Sequence, residues 1–334
     1  MAPTTDLELR QFLSSRDIPC HEAMLLPGGS ANYVWRITTL LGRCSVIKHA
    51  EEHVRSAPDF ALDAVRLKFE HAALETVAEV MPMDKHIGTP RVLHYWPDEH
   101  TLHLSDAGAR DLKECYGTEE IDLAEAGAKL GAWLAELHNS TSQTHMLEEL
   151  KAKFDGDVAR TLFGYPYQGL IPVFQKHDFD VSLAKRINEQ YGVENESDQV
   201  CLCHGDFWPQ NVLLTQKEPL ILTIIDWEGA RVGSGATDAA RFAAQSWLLD
   251  RFKGDRGLFQ AFLSAYISKR AVMAREQVRF VVQFAVHIIF YSQMRWADQE
   301  GTKKMVQIGV DLLEAVDKQD EGFLKNGILQ PLFG

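Results

Sequence analysis

Asp206, Asn211 and Asp226 sit in one short stretch and are of types that could do chemistry together. In residues 200–229, VCLCHGDFWPQNVLLTQKEPLILTIIDWEG, the first β-type run stops at His204-Gly205-Asp206, and Asn211 follows five residues after Asp206. A second run, ILTIID, leads into Asp226-Trp227-Glu228 beyond a polar turn. An aspartate beside a substrate hydroxyl, with an amide and a second carboxylate set to hold Mg2+, is the equipment of phosphoryl transfer. That reaction asks chiefly for positioning and charge neutralisation, because its transition state is loose and strongly anionic. Asp, Asn and His also make Asx-turns and satisfy backbone donors in loops that catalyse nothing. Either half of the stretch alone fits that plainer account. Both halves in this order, each closing an apolar run, favour chemistry.

Other elements must bring the phosphates to this stretch. Residues 4–15 read as a short amphipathic helix through Leu7, Leu9, Phe12 and Leu13. Gly28-Gly29-Ser30-Ala31-Asn32, followed by alternating Tyr33, Trp35 and Ile37, suggests a loop between two strands. Its glycines permit a tight turn whose amides can approach phosphate oxygens. Residues 44–48 form a strand ending in a single cation, Lys48. A polar connector then leads into a helix over about 59–81, where Glu70, Glu75 and Glu79 compete as partner for Lys48. Two further strands, 89–96 and 101–104, flank a Pro97-Asp98-Glu99 turn and run into Ser105-Asp106-Ala107-Gly108. Apolar spacing marks a core helix over 121–139. Residues 140–197 are mixed and polar, with scattered aromatics. Gly233-Ser234-Gly235 opens a helix carrying Asp238, and 239–315 reads as helical, with Trp247, His287, Tyr291, Arg295 and Trp296 as candidate pocket residues set against a plain core role.

Taken together, HGDFWPQNVLL and IIDWE resemble the aminoglycoside phosphotransferase and choline kinase family of small-molecule kinases, in which Gly commonly stands between the His and the Asp, as Gly205 does here. The stretches GGSANYVWRI, IKHA, DWE and HIIFY are most similar to methylthioribose-kinase-like and fungal hydroxytryptamine kinase-like members. The resemblance implies an α+β, bilobal protein-kinase-like fold. A small antiparallel-sheet N-lobe with one helix would span 1–104, a larger mainly helical C-lobe 105–334, and a hinge about 104–109. It implies an ATP- and Mg2+-dependent transfer of the γ-phosphate to a hydroxyl of a small metabolite, such as a hydroxylated amine or secondary metabolite. Asp206 is then the catalytic residue, and Asn211, Asp226 and Glu228 the metal ligands. Gly28, Gly29, Ser30, Asn32, Lys48 and Glu70, with the backbone of Ser105, Asp106 and Ala107, bind the nucleotide. His204 and Asp238 are structural supports, His138 is structural, and Trp208 and Trp227 pack the catalytic loop. Residues 140–197 build the acceptor pocket. One departure bears on the substrate: methylthioribose kinases lack Asn at the position of Asn211, and their paired-arginine clamp has no counterpart here. The rival reading is a catalytically silent pseudokinase that binds nucleotide or metabolite, although no motif residue is lost. A protein kinase is disfavoured by Gly205 and by the lack of an Ala-Pro-Glu segment after Asp226.

Composition agrees. The 334 residues suffice for two lobes with substantial cores, and 46% apolar with 24% charged residues is ordinary for a globular enzyme. A net charge of −13 argues against nucleic acid or anionic membrane as partner, leaving a small-molecule substrate and no readable protein partner. Five scattered cysteines, including Cys201 and Cys203 on one strand face, read as small buried hydrophobes in a reducing, cytoplasmic setting. The first residues have no long apolar core, and 278–294 is interrupted by Arg279, Gln283, His287 and Gln293, so no membrane segment is expected.

Overall fold

The computed structural model describes residues 2–108, 110–216, 219–294 and 296–334. Helix α1 (Asp6–Ser14) is capped by Thr5, whose hydroxyl accepts from the Glu8 amide while Glu8 reaches back to the Thr5 amide. Strands β1 (Glu22–Leu25), β2 (Tyr33–Thr38) and β3 (Cys44–His49) follow, then a small hairpin of β4 (His53–Val54) and β5 (Ala57–Ala61). Helix α2 (Arg66–Val80), β6 (Ile87–Gly88), β7 (Val92–Trp96) and β8 (Thr101–Ser105) complete this half. An antiparallel sheet runs in the order β1-β2-β3-β8-β7. Strand alternation divides its two faces. Trp35, Ile37 and Ile47 pack with Leu9, Phe12 and Leu13 of α1, while Val34, Arg36, Val46, Lys48 and Leu104 face the cleft. The helix expected over 59–81 begins later, because residues 57–61 pair with 53–54 as a hairpin.

Beyond β8 come β9 (Arg110–Asp111) and α3 (Leu123–Thr141), with Asp122 as its N-cap. The polar stretch after α3 is not irregular: it folds as α4 (Thr144–Lys153), α5 (Asp157–Gln168), α6 (Leu170–Lys176) and α7 (Val181–Tyr191). Sequence spacing hid them because Gly156, Gly169 and Gly192 punctuate short helices and Pro166 lies inside α5. Strands β10 (Cys201–Cys203), β11 (Val212–Gln216), β12 (Ile221–Ile224) and β13 (Arg231–Gly233) precede α8 (Gly235–Lys253), α9 (Leu258–Lys269), α10 (Ala274–Tyr291), α11 (Gln299–Asp317) and α12 (Glu321–Lys325). The two β runs that flank the polar turn in sequence do not pair with each other. β10 pairs with β13, and the hairpin between Asn211 and Asp226 is β11 with β12. β9 and β6 border that hairpin, so a segment preceding β7 joins its sheet.

The larger core lies among α3, α8, α9 and α10. Gly127 and Gly131 let α3 approach α9 closely: a Cβ at Gly131 would stand 2.2 Å from the Phe262 carbonyl oxygen. Among the described residues, no helix is long and apolar enough to cross a membrane. Residues 278–294 lie largely in α10, whose Phe280–Ile289 span is buried in the core.

Candidate active site

The loop that carries Asp206 begins where β10 ends, and its path depends on two backbone exceptions. Gly205 has φ +86°, and a Cβ there would lie 1.9 Å from the Gly229 carbonyl oxygen. No side chain fits that crossing, which gives a steric reason for glycine between His204 and Asp206. Asp226 also adopts left-handed backbone, with φ 68°, at the corner that follows β12. Asp tolerates this region better than most residues, and such exceptions concentrate at functional sites.

His204 is wholly buried and works as a brace. Its Nε2 lies 2.9 Å from the Ile225 carbonyl oxygen, and its Nδ1 accepts from the Asp206 amide at 3.1 Å. Burial lowers its pKa, with Asp238 and Asp206 opposing in part, and the neutral form suits an acceptor Nδ1. Asp238 in the first turn of α8 accepts from the His204 amide at 2.5 Å and the Gly205 amide at 3.0 Å. Burial opposes its charge, yet His138 and Arg231 hold its carboxyl down at about 2. Trp227 is buried against His204, with ring centroids 4.4 Å apart. Trp208, in contrast, lines the cleft and packs on Tyr291.

Asp206 points into the cleft with both carboxylate oxygens engaged. Asn211 Nδ2 donates to Oδ2 at 3.0 Å and to the Asp206 carbonyl at 2.9 Å. Arg241 from α8 donates to Oδ1 at 2.5 Å. Asn211 thus spends its side-chain donor on Asp206, and its side-chain carbonyl is a hard oxygen of the kind that Mg2+ prefers.

Across the cleft, β3 delivers Lys48 between carboxylates from both lobes. Its ammonium donates to Glu70 of α2 at 2.5 Å, hydrogen-bonds Asp226, and lies 3.7 Å from Glu228. Of the three candidate glutamates, Glu75 is exposed and pairs with His71, and Glu79 is exposed, so Glu70 is the partner. Burial disfavours the Lys48 ammonium, but Asp226, Glu70 and Glu228 outweigh it and raise its pKa. Three carboxylates cannot all ionise cheaply around so few cations. Burial would raise Asp226, but its bond to Lys48 holds it below the usual carboxylate range, whereas burial pushes Glu70 up to about 7 and also raises Glu228.

Asn32 of the glycine loop lines the cleft and is tied down within the protein. It is buried, donating to Glu228 at 2.5 Å and accepting from Arg66 Nε at 3.0 Å. Arg66, fully buried at the start of α2, also donates to the Ala31 carbonyl and lies 3.5 Å from Glu228. It therefore fastens the glycine loop to the carboxylate cluster. Sequence reading missed Arg66 and Arg241, though Arg66-x-x-x-Glu70 and Asp238-x-x-Arg241 each carry the spacing of one helix face.

Gly28, Gly29, Ser30, Asn32, Lys48, Glu70, Ser105, Asp106, Ala107, Asp206, Asn211 and Asp226 border one cavity of about 450 Å³. That is the size of a small-ligand site. Glu228 lies just behind it, with carboxylate oxygens of Glu70, Asp226 and Glu228 within 4.8 Å of one another. His204 and Asp238 stand outside the cavity as supports. Arg36 of β2 holds the connection between lobes by donating to Asp106 at 2.9 Å. Of the aromatic candidates, His287 is buried against Gln245 and Tyr291, while Trp247 and Trp296 pack elsewhere, against Phe284 and Phe252. Arg295 lies outside the described residues.

The phosphotransferase enzyme family matches residues 22–278. A 4-hydroxytryptamine kinase of Psilocybe cubensis is 26% identical over 341 aligned positions, covering 95% of this chain and 93% of that protein. The Psilocybe cyanescens 4-hydroxytryptamine kinase is 24% identical, covering 92% and 90%. Among solved structures, an aminoglycoside phosphotransferase from Alicyclobacillus acidocaldarius superposes with a TM-score of 0.56 at 16% identity, covering 97% of this chain and 98% of that one. An ethanolamine kinase from Plasmodium vivax gives a TM-score of 0.54 at 12% identity, covering 94% and 89%. The expected bilobal fold is therefore the observed one, and the chain belongs to the phosphotransferase enzyme family, as a small-molecule kinase acting on hydroxyl groups.

Proposed function

We propose that the protein transfers the γ-phosphate of ATP to a hydroxyl on a small aromatic amine. The observation that carries this reading is Lys48 of the sheet lobe, bonded to Glu70 and Asp226, opposite Asp206 and Asn211 in the same cleft. Lys48 and the 28–32 loop would receive the triphosphate, and the backbone of Ser105, Asp106 and Ala107 the adenine edge. The lobes would then divide near residues 104–109.

The candidate donors are hard oxygens, from Asp226 and Glu228 beside Lys48 and from the side-chain carbonyl of Asn211 in the same cleft, which suits Mg2+. These three would hold the ion, which supplies neutralisation of phosphate charge when bound. Asp206 would accept the proton as the acceptor oxygen bonds to the γ-phosphorus. The bond from that phosphorus to the β,γ-bridging oxygen breaks, and ADP leaves.

For the acceptor, Trp208 borders the cleft beside Asp206 and packs on Tyr291, which continues through Phe290 and Tyr165 to Phe60 of β5. These rings meet tilted or edge-on, at interplanar angles of 58–85°, and give the side of the cleft an aromatic character suited to an aromatic acceptor. Both fungal relatives bear the name of a kinase for a hydroxylated indole amine. An ATP-using enzyme of this kind would work in the cytoplasm. The test is ADP release with Mg-ATP across a panel of hydroxylated metabolites that includes 4-hydroxytryptamine. Turnover should appear with aromatic alcohols and fall at least about 1,000-fold in Asp206→Ala. Nucleotide binding without turnover on any acceptor would favour the pseudokinase.

A further inference from the structure

We propose that Arg241 is a positioning residue for the transfer, holding the Asp206 carboxylate in the orientation from which it accepts the hydroxyl proton. The proposal rests on the assignment of Asp206 as proton acceptor. Its basis is one turn of α8. Asp238 and Arg241, three residues apart, project from the same side of that helix. Asp238 takes the backbone amides of His204 and Gly205, immediately ahead of Asp206. Arg241 takes Oδ1 of the Asp206 side chain at 2.5 Å. A single rigid turn thus fixes both the main chain that carries the base and the base itself.

Three features set this contact apart from an incidental ion pair. Arg241 is buried, with its side chain 8% exposed, whereas Asp206 is 32% exposed and opens to the cleft. The pair therefore joins an anchored group to an accessible one. Oδ2 is held independently by Asn211 on the other side, so the carboxylate plane is defined by two donors from different elements. Finally, Asn211 would also serve the metal, so Asp206 needs a donor whose position does not change when Mg-ATP arrives. Arg241 lies outside the nucleotide cavity and meets that need.

The obvious counter-reading is that a buried guanidinium merely requires a counter-ion, and Asp206 is the nearest one. A double-mutant cycle separates the two. Using the acceptor that wild type turns over best, kcat and KM are measured for Arg241→Met, Arg241→Lys, Asp206→Asn and Asp206→Asn/Arg241→Met, with melting temperature recorded for each. If Arg241 acts through Asp206, Arg241→Met lowers kcat about 100-fold while KM for ATP stays within about twofold. In the Asp206→Asn background the same change then costs little more, because its target is already gone. Arg241→Lys should recover part of the loss, and added guanidinium should recover part of the activity of Arg241→Met. Equal losses of kcat in both backgrounds, or unaltered kcat in a folded Arg241→Met or Arg241→Lys, would overturn the proposal. Wild-type protein that turns over no acceptor would instead remove the kinase reading of the site, and this role with it.

Discussion

At the scale of single residues, the site depends on protonation states set by burial. His204 must stay neutral, because its Nδ1 accepts the Asp206 amide hydrogen. Burial lowers its pKa in the folded chain. Between the ordinary value of about 6.5 and the lower folded value, the unfolded chain binds a proton that the folded chain refuses, so stability falls as pH is lowered through that window. Buried His287, depressed by burial and by Arg241, contributes in the same direction. Melting temperatures of wild type and His204→Asn, compared from about pH 7.5 to about pH 5.5, should show the shallower decline in the variant. Parallel declines would mean that His204 does not carry the acid sensitivity. At this scale the sequence was most legible, since Asp206, Asn211, Asp226 and Lys48 announce themselves by type and spacing. Arg66 and Arg241 did not, because nothing in a lone arginine says which carboxylate it will meet after folding. Asn32 was legible as part of a loop, but its turn toward Glu228 depends on Arg66 arriving from α2.

At the scale of elements, the loop that carries Asp206 is held by its neighbours. α8 supplies Asp238 and Arg241, and α3 packs on both α9 and β10. The α3–α9 contact uses glycines as flat surface. A Cβ at Gly131 would stand 2.2 Å from the Phe262 carbonyl oxygen, whereas one at Gly117 meets nothing within 4 Å. Gly131→Ala should therefore destabilise by about 1–3 kcal/mol in urea unfolding, through overpacking against backbone. Gly117→Ala should change stability by less than about 0.5 kcal/mol. Equal midpoints for the two would contradict the packing described. Strand alternation and core-helix spacing were readable because each follows from a period. The start of α2 and the helices of residues 144–191 were not. Residues 57–61 take a strand from a partner hairpin, and α4 to α7 owe their form to packing on the larger core rather than to a long periodic signal.

At the scale of the whole molecule, the sheet lobe and the helical lobe meet where Lys48 contacts Asp226. The acidic balance of −13 does not describe the cleft, where Lys48, Arg66, Arg241 and Arg36 answer the carboxylates. Family motifs made the two-lobed arrangement legible from sequence, whereas the run of rings from Phe60 to Trp208 joins residues far apart in the chain and had no local signature. The central claim is that residues of both lobes form one Mg-nucleotide site. Isothermal titration of ATP with Mg2+ into wild type, Lys48→Met and Asp226→Asn tests it most directly. Wild type should bind, and each variant should bind at least about 10-fold more weakly. Binding by both folded variants at wild-type strength would contradict it.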